Sequence, residues 1–244
     1  MGLEQKLQCK MFRARLDRER LNLSSQTVFL TGGSGGIGKS IENKLLTEGY
    51  NIIAPPREEL NLADLNSISE YVGKHENDPI DILINNAAIN PATALDEMTP
   101  ELIEEVLRVD VTAPLLLTRG LTSHMKEKGW GRVINISSIW GVRGREGRSV
   151  YSAAKHALNG MTSSLARELG SHNILVNSVC PGFVDTEMTR RNLTPEQLAE
   201  LLKKVPLGRL AQPDEIADVV AFLVSKKNTF ITGQSIIVDG GFTV

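Results

Sequence analysis

"TVFLTGGSGGIGKSIENKLLTEGYNIIA", residues 27–54, is the stretch on which the fold turns. Residues 27–30 are a short apolar run suited to a strand buried on both faces. Residues 37–46 then repeat apolar side chains at helical spacing, and Gly49 closes the pattern. The turn between them is rich in glycine. Glycine there lets backbone N–H groups approach a pyrophosphate, while the following helix offers its positive N-terminal end to the anion. The stretch therefore predicts a dinucleotide site. Two registers fit: G-x-G-x-x-G through Gly33, Gly35 and Gly38, or T-G-x-x-x-G-x-G through Thr31, Gly32, Gly36 and Gly38. Counting glycines does not separate them.

Cofactor preference is read further along. An acid about 20 residues past the glycines would bind the ribose 2′-hydroxyl of NAD, whereas an arginine accommodates the 2′-phosphate of NADP. The second strand is expected to end near Ala54, and the first charged side chain beyond it is Arg57, followed by Glu58 and Glu59. The sequence leans toward NADP, with NAD as the other choice.

Apolar runs recur in "IDILINNAA" (80–88), "RVINISS" (132–138), "NILVNSVCPG" (173–182) and "GQSIIVDGG" (233–241). Helical patterns over residues 67–74, 101–124 and 151–169 lie between some of them. Such alternation predicts an α/β fold: one Rossmann-type, doubly wound parallel sheet over residues 26–244, with helices on both faces and ligands at the carboxyl ends of the strands. The polar stretch 185–204 interrupts the alternation and is expected to form a helical flap over the site. Residues 1–25 mix six Lys/Arg with Glu4, Asp17 and Glu19 and are expected to be a helical or flexible extension.

The bulk properties narrow the function. A chain of 244 residues with 41% hydrophobic residues can fill one core. A net charge of -2 gives no general attraction to nucleic acid or an anionic membrane. No apolar run approaches the roughly 20 residues of a membrane span, and the start lacks the apolar core of a secretory signal, so a cytoplasmic location is expected. Cys9 and Cys180 are the only cysteines, which supports neither a disulfide framework nor a metal site.

"SSIWGVRGREGRSVYSAAK", residues 137–155, contains the chemistry. Tyr151 and Lys155 are four apart on a predicted helix and so share a face, and Ser138 lies just past the end of a predicted strand. Taken with the glycine turn, these segments resemble the short-chain dehydrogenase/reductase family. The match runs from about Thr27 onward through Thr31, Gly32, Gly36 and Gly38, "NNAA" at 85–88, Ser138, Tyr151, Lys155 and the Pro181-Gly182 pair. The tail "VPLGRLAQPDEIADVVAFLVS" followed by "ITGQSIIVDGG" is similar in particular to 3-oxoacyl-(acyl carrier protein) reductases.

The resemblance implies hydride transfer between a nicotinamide and a carbonyl/alcohol carbon of a small-molecule substrate. A ketone receiving hydride develops alkoxide character and needs both a proton and hydrogen-bond donors. Tyr151 would give the proton and Ser138 would hold the oxygen. An ammonium beside a phenol favours the phenolate needed in reverse, which is the part implied for Lys155. The cofactor would contact Gly32, Ser34, Gly36, Ile37 and Gly38 in the turn, Asn86 and Ala87 after the third strand, and Tyr151 and Lys155. Pro181, Gly182, Val184 and Thr186 would cradle the carboxamide, and Asn61 and Leu62 would flank the adenine.

Two departures stand out. Where the family usually has an asparagine that holds a relay water near the lysine, this chain has Asp110, whose charge would stabilise Lys155. The path from Gly49 to "NLAD" (61–64) is also shorter than the family's, which affects the adenine pocket. Arg143, Arg145 and Arg148 lie between Ser138 and Tyr151, and one or more is expected to face an anionic part of the substrate or else solvent. A second reading is a cofactor-binding regulatory or interaction protein with weakened catalysis. A homodimer or homotetramer is expected, as is usual in the family.

Overall fold

The computed structural model describes residues 26–191 and 194–244, so the extension expected at 1–25 lies outside the described residues. Six strands form the frame: β1 (Thr27–Leu30), β2 (Asn51–Ile53), β3 (Ile80–Asn85), β4 (Gly131–Ile136), β5 (Ile174–Pro181) and β6 (Ser235–Val238). They make one parallel sheet in the order β2-β1-β3-β4-β5-β6. The order reverses between β1 and β3, and a crevice opens there beyond the strand ends.

Continuous apolar runs form these strands because both faces of the sheet are covered. Val28, Leu30, Ile82, Ile84, Ile134 and Ile136 pack on one side against Ile41 and Leu45 of α1 (Gly36–Thr47) and Ile216 and Val220 of α9 (Pro213–Val224). Phe29, Leu83, Val133 and Val176 point to the other side. There they meet Ile68 and Tyr71 of α2 (Leu65–His75), Leu117 and Leu121 of α4 (Ala113–Leu121), and Ala166 of α6 (Ser149–Leu169). The two-residue alternation thus feeds two cores from one sheet.

One sequence expectation changes. The single helix expected over 101–124 is divided into α3 (Pro100–Leu107), a wide π turn (Arg108–Thr112) and α4, with α5 (Ser123–Lys128) following. Pro114 has no N–H to return to the carbonyl of Asp110, so regular helical bonding cannot run through this point. The wide turn places Asp110 inside the protein, fully buried. The shortened path noted after Gly49 is a direct loop, 54–64, from β2 to α2, and among the described residues no further strand lies beyond β2. Asp64 starts α2 by accepting a 2.9 Å bond from the Asn66 amide. Within 185–204, α7 (Glu187–Arg191) and α8 (Pro195–Leu202) are helical, and the Thr194 side chain caps α8.

Candidate active site

The glycine turn is bound to the end of β3. Thr31 Oγ1 accepts the Asn86 and Ala87 amides at 3.0 and 3.1 Å, and the Asn86 side chain donates to the carbonyls of Thr31 and Gly32 at 3.0 and 2.9 Å. Gly32 has φ +69°, and a Cβ there would come within 2.9 Å of Ala87 Cα. A Cβ on Gly38 would stand 2.0 Å from the Gly32 carbonyl oxygen. By contrast a Cβ at Gly35 meets nothing within 4 Å. The register through Thr31, Gly32, Gly36 and Gly38 is therefore the one whose glycines the backbone requires, which settles the choice the sequence left open. Gly38 serves the turn by allowing this close approach and does not line the cleft.

A cleft of about 780 Å3 opens over the carboxyl ends of the strands. Ser34, Gly36 and Ile37 at the start of α1 line it, as do Gly32, Asn86 and Ala87. Ser138, Tyr151 and Lys155 form part of the same wall, with Pro181, Gly182, Val184 and Thr186 also lining it. A second hollow of about 610 Å3 shares Gly32, Ser34 and Ala87 with the first and is lined by Arg57, Asn61 and Leu62. Despite the shortened route after β2, those three residues still face a hollow continuous with the glycine turn. The positive-φ turn, the N-terminal end of α1 and the two joined hollows fit an extended dinucleotide.

Lys155 is fully buried on α6, and its Nζ donates to the Ile136 carbonyl at the end of β4 at 3.1 Å. It lies 3.2 Å from Asp110 Oδ2 and 5.4 Å from the centre of the Tyr151 ring, one helical turn away. Asp110 Oδ1 accepts the Ile89 amide at 2.9 Å. The two charges are held without a place in the cleft for Asp110 itself, which stands behind Lys155. Burial works against the Lys155 ammonium, but Asp110 and Tyr151 outweigh it and hold its pKa above the ordinary lysine value. Burial raises the Asp110 carboxyl, and Lys155 and the Ile89 amide oppose that rise.

Ser138 is buried at the end of β4, where its Oγ accepts the Trp140 amide at 3.1 Å. The short turn that follows (Ile139–Gly141) is fastened to α6. Asn159 donates to the Gly141 carbonyl at 2.9 Å, and the Ser137 hydroxyl donates to the Lys155 carbonyl at 3.2 Å. These two bonds bring the strand end carrying Ser138 against the helix carrying Tyr151 and Lys155.

The three arginines separate. Arg148 is committed to Asn90, donating to its backbone and side-chain oxygens at 2.6 and 2.7 Å. Arg145 lies over the rings of Trp140 and Phe183 at 5.2 and 5.9 Å, and Arg143 lines neither the cleft nor its neighbouring hollows. Sequence reading missed the aromatic group beneath Arg145: Trp140, Phe183 and Phe242 meet edge to face at 5.0 to 6.0 Å. They come from three distant parts of the chain, and no local pattern marks them. Among the described residues no group of three His, Cys, Asp or Glu side chains could hold a metal ion. No described helix is long and apolar enough to cross a membrane.

A family profile described as Enoyl-(Acyl carrier protein) reductase matches residues 59–243. The chain is 38% identical to an acetoacetyl-CoA reductase of Shinella zoogloeoides over 238 residues, covering 89% of this chain and 98% of that protein. It is 39% identical to the 3-oxoacyl-[acyl-carrier-protein] reductase FabG of Aquifex aeolicus (strain VF5) over 229 residues, covering 91% of this chain and 90% of that one. Among solved structures, a blue fluorescent protein from a metagenomic library in complex with NADPH superposes with a TM-score of 0.83 at 33% identity. That alignment covers 91% of this chain and 100% of the other.

Proposed function

The chain belongs to the short-chain dehydrogenase/reductase family, and on that premise we propose that it interconverts a small-molecule ketone and alcohol with NAD(P), Tyr151 acting as general acid/base. The observation that carries this reading is the placement of Ser138, Tyr151 and Lys155 along one cleft with the glycine turn. The regulatory alternative has no support in the relatives, which are named as reductases.

The nicotinamide, when bound, supplies or accepts the hydride. Gly32, Ser34, Gly36 and Ile37 would hold the pyrophosphate at the N-terminal end of α1, and Asn61 and Leu62 would border the adenine. Pro181, Gly182, Val184 and Thr186, which line the cleft, would cradle the nicotinamide carboxamide. Tyr151 gives its phenolic proton to the oxygen as it gains charge, and Ser138 donates a hydrogen bond to the same oxygen. Lys155 stands behind the phenol as a fixed cation, and Asp110 keeps that cation charged and in place. In the reverse direction the ammonium stabilises the phenolate that removes the alcohol proton.

NADP is the favoured cofactor because Arg57 lines the second hollow beyond β2, where no acid ends the strand. Thermal-shift titration should show stronger stabilisation by NADPH than by NADH, approaching about 2.7 kcal/mol at a hundredfold excess over Kd. Arg57→Ala should lower the NADPH-over-NADH preference about tenfold, the loss of one charged contact. Equal preference in the variant and the parent would remove the assignment. A panel of ketones followed by NADPH oxidation tests the chemistry, and cofactor binding with no turnover of any ketone would favour the regulatory reading.

A homodimer or homotetramer is proposed from β6, an edge strand whose Ile237 is 40% exposed. Light scattering at micromolar concentration should give a multiple of the chain mass, and a monomer would contradict it. We propose that residues 185–204 act as a flap, since Thr186, Glu187 and Thr189 border the main cleft. Proteolysis within this segment should slow when NADPH and substrate analogue are both present, and an unchanged rate would count against it.

A further inference from the structure

Resting on the hydride-transfer reading for which end of the cleft reacts, we propose that Arg145 is a specificity residue that receives a carboxylate carried by the substrate ketone. Arg145 lines the same cleft as Ser138 and Tyr151 and also borders a side hollow of about 570 Å3 beneath α8. Although exposed, its guanidinium is not loose in water, for it lies over the Trp140 ring at 5.2 Å and the Phe183 ring at 5.9 Å. Attraction to two aromatic faces restrains the cation without using its N–H donors, which stay available to take a carboxylate by two parallel bonds. Part of the ordering cost of binding is thereby met before the ligand arrives.

At the main cleft, where Arg145, Arg148 and Lys155 face the single acid Glu187, the charges favour the same ligand. No carboxylate pairs with Arg145 within 4 Å among the described residues, whereas Arg190 and Arg209 are each paired with an acid. Arg148 adds a second positive charge at the same wall. Burial lowers its pKa and the nearby Arg145 lowers it further, a sign that the two cations repel across a short distance. Arg148 is anchored to Asn90 through its Nη1, so Arg145 is the less committed of the two. The acids nearby are Glu187 at the main cleft and Glu146, Glu196 and Glu200 around the side hollow, where Lys204 also lies. The aromatic group below gives the ligand an apolar wall between its anionic end and the carbonyl that Tyr151 and Ser138 address. The assignment is thus a keto acid with a short apolar spacer.

The test uses the full chain with NADPH and three ketones of equal chain length: a 4-oxo acid, its methyl ester and the matching oxoalkyl phosphate. The parent should prefer acid to ester in kcat/KM, and Arg145→Met, which keeps an apolar stem over the rings, should cut that acid-to-ester ratio about 10- to 100-fold. Arg143→Ala, on the same loop but outside the cleft, should leave the ratio unchanged. A ratio that Arg145→Met does not move, or that Arg143→Ala lowers equally, overturns the proposal. A preference for the phosphate over the acid overturns the choice of carboxylate. If none of the ketones is turned over, the hydride-transfer reading fails separately, and the same ratios are read as dissociation constants by calorimetry with and without NADP+. Equal affinity for acid and ester then also overturns the role of Arg145.

Discussion

Tyr151→Phe should lower kcat for ketone reduction by about 10²- to 10⁴-fold, the range expected when a positioned proton donor is removed. The substitution deletes one oxygen and keeps the ring, so the buried position on α6 stays filled. Ser138 still offers a hydrogen bond to the carbonyl oxygen in the variant, and Lys155 keeps Asp110 at 3.2 Å and the Ile136 carbonyl as partners. What disappears is the group that hands over a proton as the alkoxide forms. Single-turnover oxidation of NADPH with the best ketone of the panel measures the step directly, while a thermal shift with NADPH reports whether the cleft still takes cofactor. A variant that binds NADPH and reduces the ketone at the parent rate would show that the proton comes from elsewhere, and the proposed chemistry would have to be rebuilt around another donor.

The sheet could be read from the chain because it is buried on both faces. Such strands must be short apolar runs, and those runs are visible within 27–30, 80–88 and 173–182. The same two-sided burial conceals what lies between layers. That Asp110 would turn inward on a wide turn was not read from the sequence: Pro114 inside 101–124 signals a break in the helix, but which side chain the break turns inward is set by the folded chain. The glycine register could not be chosen because it depends on φ at Gly32 and on the approach of Gly38 to the Gly32 carbonyl, both properties of the folded turn. Ser138, Tyr151 and Lys155 were singled out because two share a helix face, the third follows a strand, and with the glycine turn they resemble the short-chain dehydrogenase/reductase pattern. Trp140, Phe183 and Phe242 were missed because only the tertiary fold brings them together.

Lys155→Met should damage stability and catalysis together, and the two losses should be separable through Asp110. The ammonium is fully buried, bonded to the Ile136 carbonyl and paired with Asp110 at 3.2 Å. Removing one member of a buried ion pair leaves the other uncompensated, at a cost of about 3–5 kcal/mol. The Asp110 carboxyl is already raised by burial, and without Lys155 one of the groups holding it down is gone. A carboxyl whose folded pKa exceeds its unfolded value contributes stability below the unfolded value and loses it as pH rises through the folded one. The variant should therefore fall furthest below the parent near neutral pH and recover part of the difference as pH drops below the folded value. Adding Asp110→Asn removes the stranded charge and keeps an acceptor for the Ile89 amide, so the double variant should regain most of the neutral-pH stability. It should not regain activity, because the phenol of Tyr151 would still lack the cation that stood 5.4 Å from its ring. Denaturant melts across pH, paired with NADPH-oxidation rates, separate the two effects. A double variant no more stable than Lys155→Met alone would mean that lost packing, not an orphaned carboxylate, sets the cost, and Asp110 would then have no part in holding Lys155 charged.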